Sequence, residues 1–149
     1  MTVIAFASDH AGRDLRLLLL EVARKAGWGE LDLGPDTSVS VDYPDYGYEL
    51  ARVVAETRCK YGIAVCGSGI GISIACNRHP GVRAALCHDV TTARLARAHN
   101  DANILALGAR VIGSDVAQEA MFAFLETPFE GGRHQRRVDK LTAGQPIVS

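Results

Sequence analysis

Short runs of apolar residues alternate along the chain with longer segments in which apolar residues recur at helical spacing. The apolar runs predict five strands, at residues 3–7, 30–33, 61–66, 82–87 and 104–107. The intervening segments predict helices at residues 13–26, 46–57, 91–99, 115–126 and 132–142. A further helix is predicted after a glycine run at 67–71 and ends near residue 77. Residues 34–44 are predicted to form a polar loop. Continuous apolar strands that alternate with helices indicate a parallel sheet covered on both faces. The pattern therefore predicts one α/β domain over residues 1–149, a three-layer doubly wound five-stranded sheet of the flavodoxin or Rossmann-like kind.

Composition narrows the function classes. The formal net charge is −1, so the chain lacks the basic excess expected of a nucleic-acid-binding protein. No apolar run is long enough for a membrane span, and the first residues lack the features of a signal peptide. The four cysteines form no CxxC pair, and their spacing suits neither a zinc site nor a disulfide framework. We expect reduced thiols, a cytoplasmic location and no nucleic-acid or membrane partner.

Polar residues follow several of the predicted strands. Asp9 and His10 follow the first strand, the segment 66–71 (CGSGIG) closes the third, His88 and Asp89 follow the fourth, and Arg110 follows the fifth. Ligands of doubly wound sheets bind beyond the carboxyl ends of the strands. We therefore expect these groups to lie on one rim of the sheet. His88 and Asp89 are not assigned to the core site, because Asp89 also fits the cap of the next helix.

The segment CGSGIG is the strongest local signal. Amides at the start of a helix bind an anion, either a phosphate or a developing oxyanion. The spacing is that of neither a dinucleotide fingerprint nor a P-loop, which would carry a lysine. A tight turn that needs glycine for packing is the alternative.

Cys66 precedes this loop, a setting that favours a thiolate acting as base or nucleophile. The other cysteines have no such setting and are expected to be structural. Histidines beside polar residues, at Asp9-His10 and His99-Asn100, suit proton transfer but also suit surface or capping positions.

A cationic cluster lies at residues 131–137, at the start of the last predicted helix. Arg133 and Arg137 are four residues apart, hence on one helix face, and suit a phosphate. A solvated basic face is the alternative. Because the cluster is far along the chain from the other groups, it is expected to serve a cleft of a neighbouring subunit.

Six segments together resemble the type B ribose-5-phosphate isomerases, in the group that includes the galactose-6-phosphate isomerase subunits. They are spread over almost the whole chain, at residues 4–12 (IAFASDHAG), 42–44 (DYP), 66–75 (CGSGIGISIA), 99–103 (HNDAN), 108–110 (GAR) and 130–134 (EGGRH). The resemblance implies an aldose–ketose isomerase that interconverts ribose 5-phosphate and ribulose 5-phosphate through a cis-enediolate.

The resemblance also assigns roles. It implies that Cys66 is the base at C2 and that His99, assisted by Asp9, opens the furanose ring. The groups implied to hold the enediolate, the substrate oxygens, the sugar and the phosphate are Ser68, the amides of Gly67, Gly69, Ile70 and Gly71, Asn100, Tyr43, His10, Arg110, Arg133 and Arg137. Many relatives with the cysteine carry Thr at the position of Ser68, and both residues supply a hydroxyl.

The implied partners are a small sugar phosphate and further copies of the chain, in a homodimer or homotetramer with sites at the subunit interface. Proton transfer between neighbouring carbons needs no redox cofactor, and no metal is expected. Two alternatives stay open: an isomerase of another sugar phosphate, such as allose 6-phosphate or galactose 6-phosphate, and a non-catalytic sugar-phosphate-binding module. A thiol redox protein would need a resolving cysteine near Cys66, which the sequence lacks.

Overall fold

The computed structural model describes residues 1–144 and contains every strand and helix that the sequence predicts. The strands are β1 (Val3–Ser8), β2 (Gly29–Asp32), β3 (Tyr61–Cys66), β4 (Ala84–Leu86) and β5 (Ile104–Gly108). The helices are α1 (Arg13–Lys25), α2 (Tyr43–Ala55), α3 (Ile70–Cys76), α4 (Val90–Asn100), α5 (Ser114–Glu126) and α6 (Arg133–Ala143). Within residues 1–144, none of these helices combines the length and the apolar character that crossing a bilayer requires.

All five strands are parallel, in the order β2-β1-β3-β5-β4. Crossovers between parallel strands are right-handed, so the direction of each step across the sheet decides which face its helix covers. The steps through α1 and α4 run one way, and those through α2 and α3 run the other. Two apolar clusters follow, one with α1, α4 and α5 and one with α2 and α3. The three-layer α/β prediction is confirmed, although the last two strands are exchanged relative to the flavodoxin order.

Successive residues of β3 point to opposite faces of the sheet. Ile63 and Val65 pack into the cluster under α1, α4 and α5, whereas Ala64 and Cys66 pack on the side of α2 and α3. The side chain of Cys66 therefore lies on the face that α3 covers, directly before the glycine loop.

Helix α2 begins three residues earlier than the sequence predicts, inside the segment expected to be a loop. Pro44 occupies its first turn, where a missing N–H has no helical partner to lose and a fixed φ favours the helix. Tyr43 is therefore carried by the first turn of a regular helix rather than by a loop.

Arg16 of α1 has no exposed surface, although no local sequence pattern predicts a buried arginine here. Its Nη1 donates to Ser8 Oγ at 2.8 Å and its Nη2 donates to the Pro35 carbonyl at 2.7 Å. Its Nε lies 3.2 Å from a carboxylate oxygen of Asp32. The guanidinium thus joins the end of β1 to the chain that leaves β2.

We predict that Arg16→Met lowers the free energy of unfolding by about 3 kcal/mol, because removing one member of a buried ionic network leaves its partners uncompensated. Urea denaturation at neutral pH measures the loss. The control is Arg24→Met, since Arg24 makes an exposed ion pair with Glu21, a type that contributes little. Equal losses in the two variants would contradict a stabilising role for the buried network.

Candidate active site

A cleft of about 620 Å³ lies at the carboxyl ends of β1 and β3, where the winding direction of the sheet changes. Apart from Ile74 and Val111, every lining residue belongs to the predicted site. The lining consists of Asp9, Tyr43, Cys66, Gly67, Ser68, Ile70, Gly71, Ile74, Arg110 and Val111. The sequence and the topology therefore agree on where a ligand would bind.

Cys66 is 4% exposed and still lines the cleft, so its thiol does not point into a closed interior. The amide of Gly69 donates a hydrogen bond to Cys66 Sγ, with 3.1 Å between nitrogen and sulfur. The thiol therefore combines access to the cleft with a backbone donor directed at its sulfur.

The glycine loop serves both packing and the cleft. Gly69 has φ +78°, and a Cβ there would lie 2.6 Å from Leu86 Cδ1, so the packing explanation holds for this glycine. The amide of Ile70 donates to Ser68 Oγ at 3.1 Å. The amides of Gly69 and Ile70 are thus used within the loop, whereas the sequence analysis expected both to face a ligand. Because Ser68 Oγ accepts this bond, its O–H proton can be donated elsewhere.

Tyr43 lies directly against the loop. A Cβ at Gly71 would come within 2.5 Å of two carbons of the Tyr43 ring, so only glycine permits this approach. On the other side, the Arg110 amide donates to the Gly67 carbonyl at 2.9 Å. The Arg110 guanidinium lies there as well, with Nη1 3.3 Å from where a Cβ of Gly67 would be. Tyr43 and Arg110 therefore both contact the glycine loop and line the cleft with Cys66.

Asp9 and His10 are fixed by backbone amides at the end of β1. The Gly12 amide donates to Asp9 Oδ1 at 2.9 Å, and Asp9 is 7% exposed. The Val41 amide donates to Nδ1 of His10 at 3.1 Å. A neutral imidazole that accepts at Nδ1 carries its proton at Nε2, so the other edge of His10 is a donor. His10 does not line the cleft itself but directly follows a residue that does.

Four residues of the predicted site lie outside the Cys66 cleft: His99, Asn100, Arg133 and Arg137. Helix α4 ends at Asn100, shortly before the start of β5, whereas Cys66 is in register with Gly108 at the end of β5. The two edges are separated by the length of that strand, roughly 13 Å at the rise of a β-strand. Asn100 lines a separate cavity of about 450 Å³. A single chain therefore does not bring these four residues into the Cys66 cleft.

Two residues that the sequence analysis did not assign lie beside His99. Its ring stacks on that of His134, with 4.2 Å between centroids and 14° between planes. Oε2 of Glu130 lies 4.0 Å from His99 Nε2 and 3.5 Å from His134 Nε2. Residues 130–134 are one of the resembling segments, but nothing in the sequence shows that they meet residue 99.

These three side chains, which we call the His99 cluster, bring nitrogen and carboxylate atoms within 4.8 Å of one another. Such atoms are ligand types for zinc. Parallel rings, however, do not direct their lone pairs at one point, and Arg133 adds positive charge near His134. A cation would have to reorient both rings, so the arrangement as it stands suits proton transfer better than metal binding.

The remaining cysteines and Asp89 have the surroundings expected of structural groups. Burial raises the pKa of Cys76 to about 12 and that of Cys87 to about 11, so both stay protonated at neutral pH. Burial also raises the pKa of Cys59. Asp89 Oδ1 accepts the Thr92 amide at 2.6 Å and caps α4, which lowers the pKa of its carboxyl.

Comparison with known proteins identifies the family. Residues 4–141 match the family described as Ribose/Galactose Isomerase. Ribose-5-phosphate isomerase B of Escherichia coli is 42% identical over 143 residues, 96% of each chain. The D-erythrulose-4-phosphate isomerase of Pectobacterium atrosepticum is 39% identical over 142 residues, 95% of this chain and 93% of that one.

A solved structure of ribose-5-phosphate isomerase B from Clostridium thermocellum superposes with a TM-score of 0.94 at 45% identity, covering 95% of this chain and 96% of that one. The match thus extends over nearly the full length of sequence and fold. The chain belongs to the Ribose/Galactose Isomerase family.

Proposed function

We propose that this isomerase interconverts ribose 5-phosphate and ribulose 5-phosphate, the reaction named in the E. coli relative. The observation that carries the proposal is the Cys66 thiol, which lines an open cleft and accepts the amide of Gly69. An aldose–ketose isomerase needs a base at such a position, beside donors for a developing oxyanion. The cleft supplies both.

In this mechanism Cys66 takes the proton from C2 of the open-chain aldose and returns it at C1, while the proton of the C2 hydroxyl passes to the C1 oxygen and the carbonyl moves to C2. Between the two transfers, negative charge develops on the oxygens of a cis-enediolate. The hydroxyl proton of Ser68 and the amides of Gly67 and Gly71 receive that charge, since the amides of Gly69 and Ile70 already donate to Cys66 and Ser68. Oxidation at one carbon balances reduction at its neighbour within one molecule, so the reaction needs no redox cofactor.

The sugar lies in the cleft that Tyr43 and the loop line together, and its phosphate is anchored by His10 and Arg110. The support for this placement is the Nε2–H of His10, which directly follows the cleft residue Asp9, and the guanidinium of Arg110, which lies beside Gly67 in the cleft lining. Planar guanidinium groups suit the bidentate recognition of phosphate.

We place His99, Asn100, Arg133 and Arg137 in the cleft of a second copy of the chain. In their own chain they lie at the edge of the sheet opposite to the Cys66 cleft. Arg133 and Arg137 lie in the first two turns of α6. In a homodimer or homotetramer with isologous contacts, each cleft would receive this set from its neighbour. The partner's arginines would then complete the phosphate anchor, and its Asn100 would hold a substrate oxygen.

Ring opening precedes enolisation. The C1–O4 bond breaks while the proton of the anomeric hydroxyl is taken up and the ring oxygen O4 receives a proton. We assign the donation to His99 of the neighbouring copy and the acceptance to Asp9 of the cleft, whose carboxylate lines the cavity.

The whole chain acts in this proposal as one catalytic domain in the cytoplasm. Its four cysteines are all free, the state expected in a reducing compartment.

We predict that Cys66→Ala lowers the rate of ribose 5-phosphate isomerisation by about 10³-fold, because a general base is lost. The same variant should stop exchange of the C1 hydrogen of ribulose 5-phosphate with deuterium in D₂O, followed by NMR. Cys87→Ala removes a buried thiol outside the cleft and is the control, expected to keep both rates. An active Cys66→Ala enzyme would refute the assigned base.

Mixing two inactive variants tests the shared site. The Cys66→Ala and His99→Asn chains are unfolded together and refolded. Random pairing makes half of the dimers mixed, and one of the two sites in each mixed dimer combines an intact Cys66 with an intact His99. We therefore expect about a quarter of the wild-type activity. The control mixture pairs Cys66→Ala with the double variant Cys66→Ala/His99→Asn. Recovery no greater than in that control would show that both residues must come from one chain.

We expect the highest kcat/KM with ribose 5-phosphate when it is compared with allose 6-phosphate, galactose 6-phosphate and erythrulose 4-phosphate. Relatives of similar identity carry names that specify different substrates, so turnover must decide. A higher value for any other compound would transfer the assignment to that sugar phosphate and leave the thiol chemistry unchanged.

A further inference from the structure

The His99 cluster, defined above as His99, Glu130 and His134, lies outside the cleft, and two of its members have no role in the proposed mechanism. Helix α4 supplies His99 at its last turn, the loop after α5 supplies Glu130, and α6 supplies His134 at its first turn. Three separate elements thus meet at one imidazole. The contacts that hold these three side chains together indicate what they do for His99.

Backbone contacts fix the loop and the second ring in place. The Glu130 amide donates to the Ala98 carbonyl at 3.0 Å, which ties the loop to the last turn of α4. The His134 side chain is 10% exposed, and its amide donates to the Gly131 carbonyl at 3.0 Å. His99 is more open, with 35% of its side chain exposed. The buried ring of His134 is therefore a fixed surface on which the more open ring of His99 stacks.

The carboxylate of Glu130 lies beside the Nε2 edges of the two stacked imidazoles. At 3.5 and 4.0 Å from their Nε2 atoms, it is close enough to stabilise a proton on either ring. His134 Nε2 is buried and has no hydrogen-bond partner within residues 1–144, a state that proteins usually avoid. A rotation of the exposed Glu130 side chain would bring its oxygen within hydrogen-bonding distance of one ring or the other.

The surroundings disfavour a proton on His134. Its burial, the neighbouring His99 and the charges of Arg133 and Arg137 lower the pKa of His134, although Glu130 opposes them. The neutral form therefore predominates on His134, which leaves the more exposed His99 as the ring that faces both Glu130 and solvent.

We propose that Glu130 and His134 are positioning residues for His99 in ring opening: the carboxylate holds the protonated imidazole, and the stacked ring fixes its plane. The inference rests on the proposed function, because it assumes that His99 donates to the ring oxygen of ribose 5-phosphate. Neither residue touches the substrate in this assignment.

Two measurements on Glu130→Gln test the inference, because the substitution keeps the shape of the side chain and removes its charge. Net conversion of ribose 5-phosphate requires ring opening, whereas deuterium exchange at C1 of ribulose 5-phosphate in D₂O does not, because that ketose has no furanose form. We expect net conversion to fall about 10- to 100-fold, the order of loss that a misplaced catalytic group produces. Exchange should stay within about twofold of wild type, since the Cys66 step is untouched.

His134→Asn should show the same split between conversion and exchange, and Glu126→Gln is the matched control, an exposed glutamate at the end of α5. Equal losses of conversion and exchange in Glu130→Gln would overturn the inference, because they would indicate a role in phosphate binding or folding. Unchanged conversion would overturn it as well. A wild-type enzyme that does not convert ribose 5-phosphate would instead refute the proposed function, and the positioning role with it.

Discussion

The hydrogen bond from the Gly69 amide to the Cys66 sulfur is the contact on which the site depends. It exists because β3 ends at Cys66 and the chain turns at once through a glycine with φ +78°. That turn is pressed against β5 so closely that a methyl group at Gly69 would collide with the backbone of Leu107, 2.8 Å away. The packing of the sheet and the electrostatics of the thiol are thus set by the same few atoms.

Local patterns were sufficient to predict the elements and the glycine loop. The apolar runs of β1, β3 and β5 are buried on both faces, so their sequences carry a clear strand signal. The exchange of β4 and β5 was not predictable, because strand order is decided by which strands pair and leaves no periodic trace in the sequence. The buried Arg16 was missed for a similar reason: its partners Ser8, Asp32 and Pro35 are distant in sequence and converge only in the folded chain.

The candidate site likewise contains residues that local sequence placed correctly and residues whose position only the fold shows. Cys66 and Ser68 are neighbours in sequence, and the rule for parallel sheets placed them beside Asp9. His99 and Arg133 came into the predicted site through family resemblance, and in the structure they lie at the other edge of the sheet. The sequence alone suggested a chemical role for the residues around Cys66 and for those around His99. Their distance, and the meeting of residue 99 with Glu130 and His134, required the three-dimensional structure.

The separation of Cys66 from His99 is maintained by hydrogen-bonded strands, which neither stretch nor hinge. No loop movement within one chain can close a gap of roughly 13 Å across the sheet. Under the proposed mechanism, evolution therefore acts on a pair of chains rather than on one. A change at Glu130 or His134 would be felt in the neighbour's cleft, so a defective copy would impair every healthy chain with which it assembles.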